Sequence, residues 1–302
     1  MVDDIKLRAL RAKYADAKGG DVFDPEFRKV VSLVFDSRDR RKLPYGDVST
    51  FLDAPYRPDA AAADFGGLDV ALIGIPMDLG VTNRSGARLG PRAVRSVERI
   101  GPYNHALKVV PLAECKAADV GDVPMRSRFS LEHCIEDIAG FYGRVRAAGV
   151  RPLSVGGDHS VTFPILQGLG RDRPVGLIHF DAHCDTGGEY DGSKFNHGGP
   201  FRLAVLDGVL DPERTIQIGI RGSAEFLWEF SYESGMTVLH VEDVASDTAE
   251  LLLPHPGIAS RNFVLVPWAQ IAPELVVPGL GRIGALAAAV GHEGLQPWSD
   301  PD

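Results

Sequence analysis

The sequence predicts an α/β fold organised on a parallel sheet, and three observations lead there. From Leu68 onward, short apolar runs are each followed by a glycine-rich turn and then by residues with helical periodicity. The strand-like runs, among them Ala71-Leu-Ile-Gly-Ile75 and Val175 to Phe180, are nearly continuous in apolar character, the pattern of strands covered on both faces. Two of the runs end in metal-binding side chains, and ligands in such sheets gather at the carboxyl ends of strands.

Taken in order, residues 1–65 form a polar, charged N-terminal extension with helices expected near Asp4 to Lys18 and across Pro25 to Phe35. A connection containing proline and aspartate then runs through Ala63, and the extension is expected to pack over the main domain or a neighbouring subunit. The main α/β domain spans 66–245. Within it, Ala71 to Ile75 is a strand. Pro91 to Ile100 opens a helix with proline in the first turn, where its missing N–H costs nothing. Leu131 to Ala148 is amphipathic at helical spacing, Val150 to Val155 is a strand, and Val161 to Leu169 is a helix. Val175 to Phe180 and Arg214 to Ile220 are further strands. Residues 246–302 form a divergent tail.

With 302 residues, 44% hydrophobic and 24% charged, the chain has material for one large α/β domain or two small ones. A net charge of −9 without a dense Lys/Arg block argues against nucleic-acid or anionic-membrane surfaces and suits a cationic or neutral small substrate. Three cysteines, Cys115, Cys134 and Cys184, are an odd number without regular spacing, so a disulfide framework is not expected and a reducing compartment is. The opening Met-Val-Asp-Asp-Ile-Lys lacks the apolar core of a secretion signal, and no run approaches a membrane span, so a cytoplasmic location is expected.

The chemistry centres on Gly176-Leu-Ile-His-Phe-Asp-Ala-His-Cys-Asp-Thr-Gly-Gly188, where Asp181, His183 and Asp185 occupy alternate positions. In an extended chain such side chains project to one side, which aims two carboxylates and an imidazole at one point. Val155-Gly-Gly-Asp-His-Ser160 adds His159 at the end of another apolar run. Alone, His159 reads as a turn histidine and either aspartate as a helix cap; together they read as a metal site. Carboxylate and imidazole without thiolate favour Mn²⁺ or a similar divalent ion over structural zinc, and one carboxylate can bridge two ions. His179 lies deeper on its strand and reads as a buried, hydrogen-bonded histidine. His197, on the glycine-rich Asn196-His-Gly-Gly-Pro-Phe201 loop, occupies the position of a proton shuttle, with a plain loop residue as the alternative. Arg84 to Pro91 reads first as a turn that starts a helix, its arginines tying the turn down, and second as a substrate contact.

Ser154-Val-Gly-Gly-Asp-His-Ser160 and His179-Phe-Asp-Ala-His-Cys-Asp185 resemble the first two signatures of the ureohydrolase (arginase/agmatinase) family. Gly74-Ile-Pro76, Arg84-Ser-Gly-Ala-Arg-Leu-Gly-Pro91, Asp119-Val-Gly-Asp122, His197-Gly-Gly-Pro-Phe201 and Gln217-Ile-Gly-Ile-Arg-Gly222 extend the resemblance over about residues 65 to 245. It implies a three-layer α/β/α arginase-like sheet, assembly into trimers or hexamers, and manganese-dependent hydrolysis of a guanidinium group to urea and an amine. By that resemblance His159 and Asp185 hold one Mn²⁺, His183 the other, Asp181 bridges both, and His197 passes protons to or from the departing amine. The resemblance is to the agmatinase, guanidinobutyrase and guanidinopropionase branch. Thr186-Gly187-Gly188 offers few side chains to grip an α-amino acid head, and the long N-terminal extension is similar to that of the guanidino-acid members.

The tail departs from the family. Its third signature is an Asp-x-Asp pair that completes both metal shells. The matching region here, Asn262-Phe-Val-Leu-Val-Pro-Trp-Ala-Gln-Ile-Ala-Pro-Glu-Leu-Val-Val-Pro-Gly-Leu-Gly281, has no acid between Arg261 and Glu274. The expectation is that the C-terminal strands are missing or replaced and that the second metal site binds weakly. Asp300-Pro-Asp302 repeats the spacing on a polar segment, and Gly279-x-Gly281-x-x-Gly284 outlines a dinucleotide turn without a βαβ unit around it. Two functions follow: an amidinohydrolase, or an inactive or truncated family member that keeps the fold and its oligomer contacts.

Overall fold

The computed structural model describes residues 4–18, 20–35, 43, 46–97, 103–222, 225–246, 265–266, 269, 273–277 and 280–291. The chain divides into two compact units, one of residues 1–178, 184–215 and 224–237, the other of 179–183, 216–223 and 238–302.

The N-terminal extension forms α1 (Asp4–Tyr14) and α2 (Pro25–Val34). α2 starts where its sequence directs: the Asp24 carboxylate accepts from the Glu26 and Phe27 amides, and Pro25 fills the first turn. Phe27 packs edge-on against Tyr103, and Lys29 reaches Glu114. Neither helix contains a buried residue. α3 (Pro58–Ala62) leads into β1 (Val70–Gly74), close to its expected bounds.

β1 lies between β2 (Ala117–Asp122) and β3 (Arg151–Val155), parallel to both. Ala71, Ile73 and Ile75 are fully buried, in one core cluster with Ile138, Phe141, Tyr142 and Val145 of α6 (Leu131–Ala147), while Leu72 packs with Phe51 and Ala54. This is the parallel, apolar arrangement that the sequence implies. β2 is less obvious, because it carries two aspartates. Asp119 is fully buried and is neutralised by Arg95, with Nε to Oδ2 at 2.8 Å and Nη2 to Oδ1 at 3.0 Å. Arg95 ends α4 (Gly90–Arg95), which is shorter than the expected Pro91 to Ile100. Ser96 closes it, its amide on the Arg92 and Ala93 carbonyls and its hydroxyl on Arg92; residues 98–100 lie outside the described residues. α5 (Pro111–Glu114) precedes β2.

α6 starts at a Ser130 cap, and α7 (Thr162–Gly170) follows β3 through a single 3₁₀ turn, His159–Val161. A second sheet runs in the order β4 (Val175–Phe180), β5 (Leu210–Ile220), β6 (Thr237–His240). β5 begins four residues before the expected Arg214. α8 (Pro200–Leu206) precedes β5, α9 (Glu229–Ser234) precedes β6, and α10 (Val241–Ser246) follows it. Phe201 and Ala204 of α8 join Ile135, Phe163 and Leu166 in a second core cluster. β4 is an outer strand of its sheet, and Ile178 and Phe180 are 69% and 74% exposed. Cover on both faces, expected from the apolar run, does not extend to these two side chains.

In the tail, β7 (Val276–Val277) and β8 (Gly281–Arg282) form a short antiparallel hairpin, followed by α11 (Ile283–Val290), whose Ile283 and Ala287 pack with Leu265, Val266 and Val277. Gly281 and Gly284 thus belong to a hairpin strand and a helix; Gly279, Asp300 and Asp302 lie outside the described residues. No helix among the described residues is long and apolar enough to cross a membrane.

Candidate metal centre

In the larger unit the site is built at the end of β3. The Gly156-Gly157 turn passes so close to the neighbouring chain that a Cβ on Gly157 would fall 1.7 Å from the Met77 carbonyl oxygen. Only glycine fits there. Asp158 follows, buried, and its carboxylate accepts from the Ser160 amide at 2.7 Å and the Gly80 amide at 2.9 Å. One aspartate therefore caps the turn that carries His159 and fixes the loop after β1.

His159 Nδ1 lies 2.5 Å from Asp185 Oδ2, with the two side chains 31% and 12% exposed. Phe201 packs edge-on against the His159 ring at 5.5 Å, and its amide donates to the Asp185 carbonyl at 3.2 Å. Asp185 itself has φ of 50°, in the left-handed region.

In the smaller unit, Asp181 follows β4 directly, its amide on the Ile218 carbonyl at 3.2 Å. Its Oδ1 accepts from the His183 amide at 2.9 Å and lies 3.4 Å from His183 Nδ1. His183 is 71% exposed at its side chain. His179 is buried, as expected, with Nδ1 3.4 Å from Gln217 Nε2 and Nε2 3.6 Å from Asp181 Oδ2. The strand stops at Phe180 and bends follow at Ala182 and His183, so strand alternation does not place Asp181, His183 and Asp185. Local turns do.

Imidazole and carboxylate are thus paired in each unit, His159 with Asp185 and His179 and His183 with Asp181. Cys184, between two of the expected ligands, is 2% exposed and forms no disulfide among the described residues. The nitrogen-and-oxygen donor set with the thiol turned inward fits a Mn²⁺-like ion.

His197 shares the larger unit. Its amide donates to the Gly80 carbonyl at 3.0 Å, and its Nε2 is 3.0 Å from Thr82 Oγ1. The loop from Asp78 to Gly90 is itself anchored: buried Asp78 accepts from the Gly86 and Arg88 amides and pairs with the Arg88 guanidinium. Arg88 therefore ties the turn down, as the sequence suggests, whereas Arg84 is exposed. The loop that joins Asp185 to His197 is closed by the Gly187 amide on the Gly198 carbonyl at 2.8 Å and by Asn196 Nδ2 on the Gly188 carbonyl at 3.0 Å. Arg202, next to Phe201, was not marked by any sequence pattern; its environment becomes visible only in three dimensions.

Residues 68–253 match the family model described as "Arginase family". The chain is 45% identical to guanidinopropionase of Pseudomonas aeruginosa over 68% of its own length and 64% of that protein, and 43% identical to the mitochondrial guanidino acid hydrolase of Homo sapiens over 59% and 51%. Less than two thirds of either relative is thus represented. Among solved structures it is similar to proclavaminate amidino hydrolase from Streptomyces clavuligerus, with a TM-score of 0.61, 29% identity and 70% of each chain covered. With its sheets, its histidine and aspartate pairs and a family match over more than half of its length, the chain belongs to the arginase family.

Proposed function

We propose that this protein hydrolyses a linear guanidino compound to urea and an amine, with His159, Asp181, His183 and Asp185 as metal ligands and His197 as the proton carrier. The observation that carries the reading is the His159–Asp185 contact, at the end of a strand and within the unit that also holds the anchored His197. Two Mn²⁺ ions per subunit are proposed, and such ions, when bound, acidify water and polarise the guanidinium group. The protein's own residues do the rest. Asp158 caps the turn that bears His159, Phe201 packs against the His159 ring, and the Thr82 hydroxyl fixes the His197 ring. Water adds to the guanidinium carbon and gives up one proton to solvent; as the bond from carbon to the alkyl nitrogen breaks, His197 delivers a proton to that nitrogen, the amine leaves neutral, and the remaining carbon, once its hydroxyl has lost a proton, is urea.

A second reading is an inactive member that keeps only fold or oligomer contacts; the region 262–273, without an acid, favours it. Metal content per chain separates the two. Purification in Mn²⁺ followed by desalting leaves about two ions per chain on the enzyme reading and one or none on the other, and urea release from agmatine, guanidinobutyrate and guanidinopropionate completes the test. On the enzyme reading, His197→Ala lowers kcat by about 10²–10⁴-fold without loss of metal. A homo-oligomer, trimeric or hexameric, is proposed with it, supported by the exposed Ile5, Leu10 and Phe27 of the N-terminal helices. The domain division 1–65, 66–245 and 246–302 and a cytoplasmic location, which suits three cysteines outside any disulfide, belong to the same reading.

A further inference from the structure

Arg202 is a half-buried cation of the larger unit. Its Nε is buried without a hydrogen-bond acceptor, and no carboxylate pairs with it among the described residues. A guanidinium group carries five donors in one plane, and leaving a buried one unmet costs free energy. The surroundings fix this plane and leave the charge unmatched: the guanidinium lies over the Phe230 ring, 4.8 Å from its centroid, and a Cβ on Gly188 would come 2.8 Å from Nη1. Stacking on an aromatic face occupies the flat side of the group and leaves its edges for an acceptor.

Gly188 belongs to the loop that starts at Asp185 and returns to His197 through the Gly187–Gly198 and Asn196–Gly188 hydrogen bonds. Phe201, the residue before Arg202, touches the His159 ring and the Asp185 carbonyl. Arg202, in the first turn of α8, thus follows directly on the loop that joins Asp185 to His197, with its Nε unmet. Arg84, on the Asp78–Gly90 loop, is exposed and has no such enclosure. We infer that Arg202 binds the carboxylate at the far end of the substrate, which makes the substrate a guanidino acid rather than the dication agmatine; this rests on the amidinohydrolase reading above. Arginine and carboxylate are matched in shape for two parallel hydrogen bonds, whereas the terminal ammonium of agmatine would face a like charge.

The test is calorimetric titration of the Mn²⁺-loaded full chain with 4-guanidinobutyrate, with butylguanidine, which lacks the carboxylate, and with agmatine. The wild type is expected to bind guanidinobutyrate at least about tenfold more tightly than butylguanidine, a gap of about 1.4 kcal/mol. Arg202→Gln should remove most of that gap, leaving butylguanidine binding unchanged, and Arg202→Lys should keep part of it. Equal weakening of both ligands, or an unchanged gap, would overturn the assignment while leaving the amidinohydrolase reading intact. Should Arg202→Gln not fold, the wild type alone decides: agmatine bound as tightly as guanidinobutyrate refutes the inference. Binding of none of the three ligands refutes both readings.

Discussion

Asp158 offers the sharpest test of how the site is held, because one buried carboxylate serves two loops. Its oxygens accept from the Ser160 amide at 2.7 Å and the Gly80 amide at 2.9 Å, and the residue is 6% exposed. Hydrogen bonds to a charged acceptor contribute about 1.5–3 kcal/mol each. Asp158→Ala leaves both amides without a partner and should cost about 3–5 kcal/mol. Asp158→Asn keeps one acceptor oxygen and turns an NH₂ group toward the other amide, so it should cost roughly half as much. At about 2–4 °C per kcal/mol for a domain of this size, the alanine variant should melt on the order of 10 °C lower. Urea unfolding followed by circular dichroism measures both variants, and Mn²⁺ titration of the folded variants measures the site. The Ser160 bond caps the turn bearing His159 and the Gly80 carbonyl holds His197, so metal affinity should fall in the same order as stability. The reasoning fails if Asp158→Ala costs under about 1 kcal/mol, or if Asn is as damaging as Ala.

Two further outcomes follow from buried charges. Arg95→Met strands Asp119, which is fully buried, and should cost about 3–5 kcal/mol. The Arg95–Asp122 contact adds little, because Asp122 is 42% exposed at its side chain. The double variant Arg95→Met/Asp119→Asn should be less damaged than the sum of the single ones, and additivity in urea unfolding would contradict the pairing. For Asp78, burial opposes the charge, but the Gly86 and Arg88 amides and the Arg88 guanidinium outweigh it and hold the carboxyl below its ordinary range. A depressed folded value means that the stabilisation is present above the unfolded pKa of about 3.9 and is lost as pH falls through the folded value. Asp78→Asn should therefore flatten the acid limb of stability below about pH 4, and an acid limb identical to wild type would exclude the role.

The strands were legible where apolar runs were unbroken: β1, β3 and β4 fall within a residue or so of their expected bounds. β2 was recognised as a family segment but not as a strand, because Ala-Ala-Asp-Val-Gly-Asp looks polar until Arg95, 24 residues earlier in the chain, neutralises Asp119. Local pattern cannot display a partner so distant. The same limit applies at the site. His159 and Asp185 could be picked out by residue type and motif, yet the extended-chain geometry invoked for Asp181, His183 and Asp185 gives way to turns after Phe180. Arg202 was invisible for a related reason: a missing acceptor leaves no trace in a sequence.

The φ of 50° at Asp185 bears on any attempt to engineer this protein. A non-glycine residue held in the left-handed region costs on the order of 1 kcal/mol relative to glycine, although aspartate and asparagine tolerate that region better than most. A mutant library sorted only for soluble yield or heat resistance would therefore drift toward Gly at position 185. The winners of such a screen would be sturdier proteins with one proposed metal ligand fewer, so stability and function must be selected together at this codon.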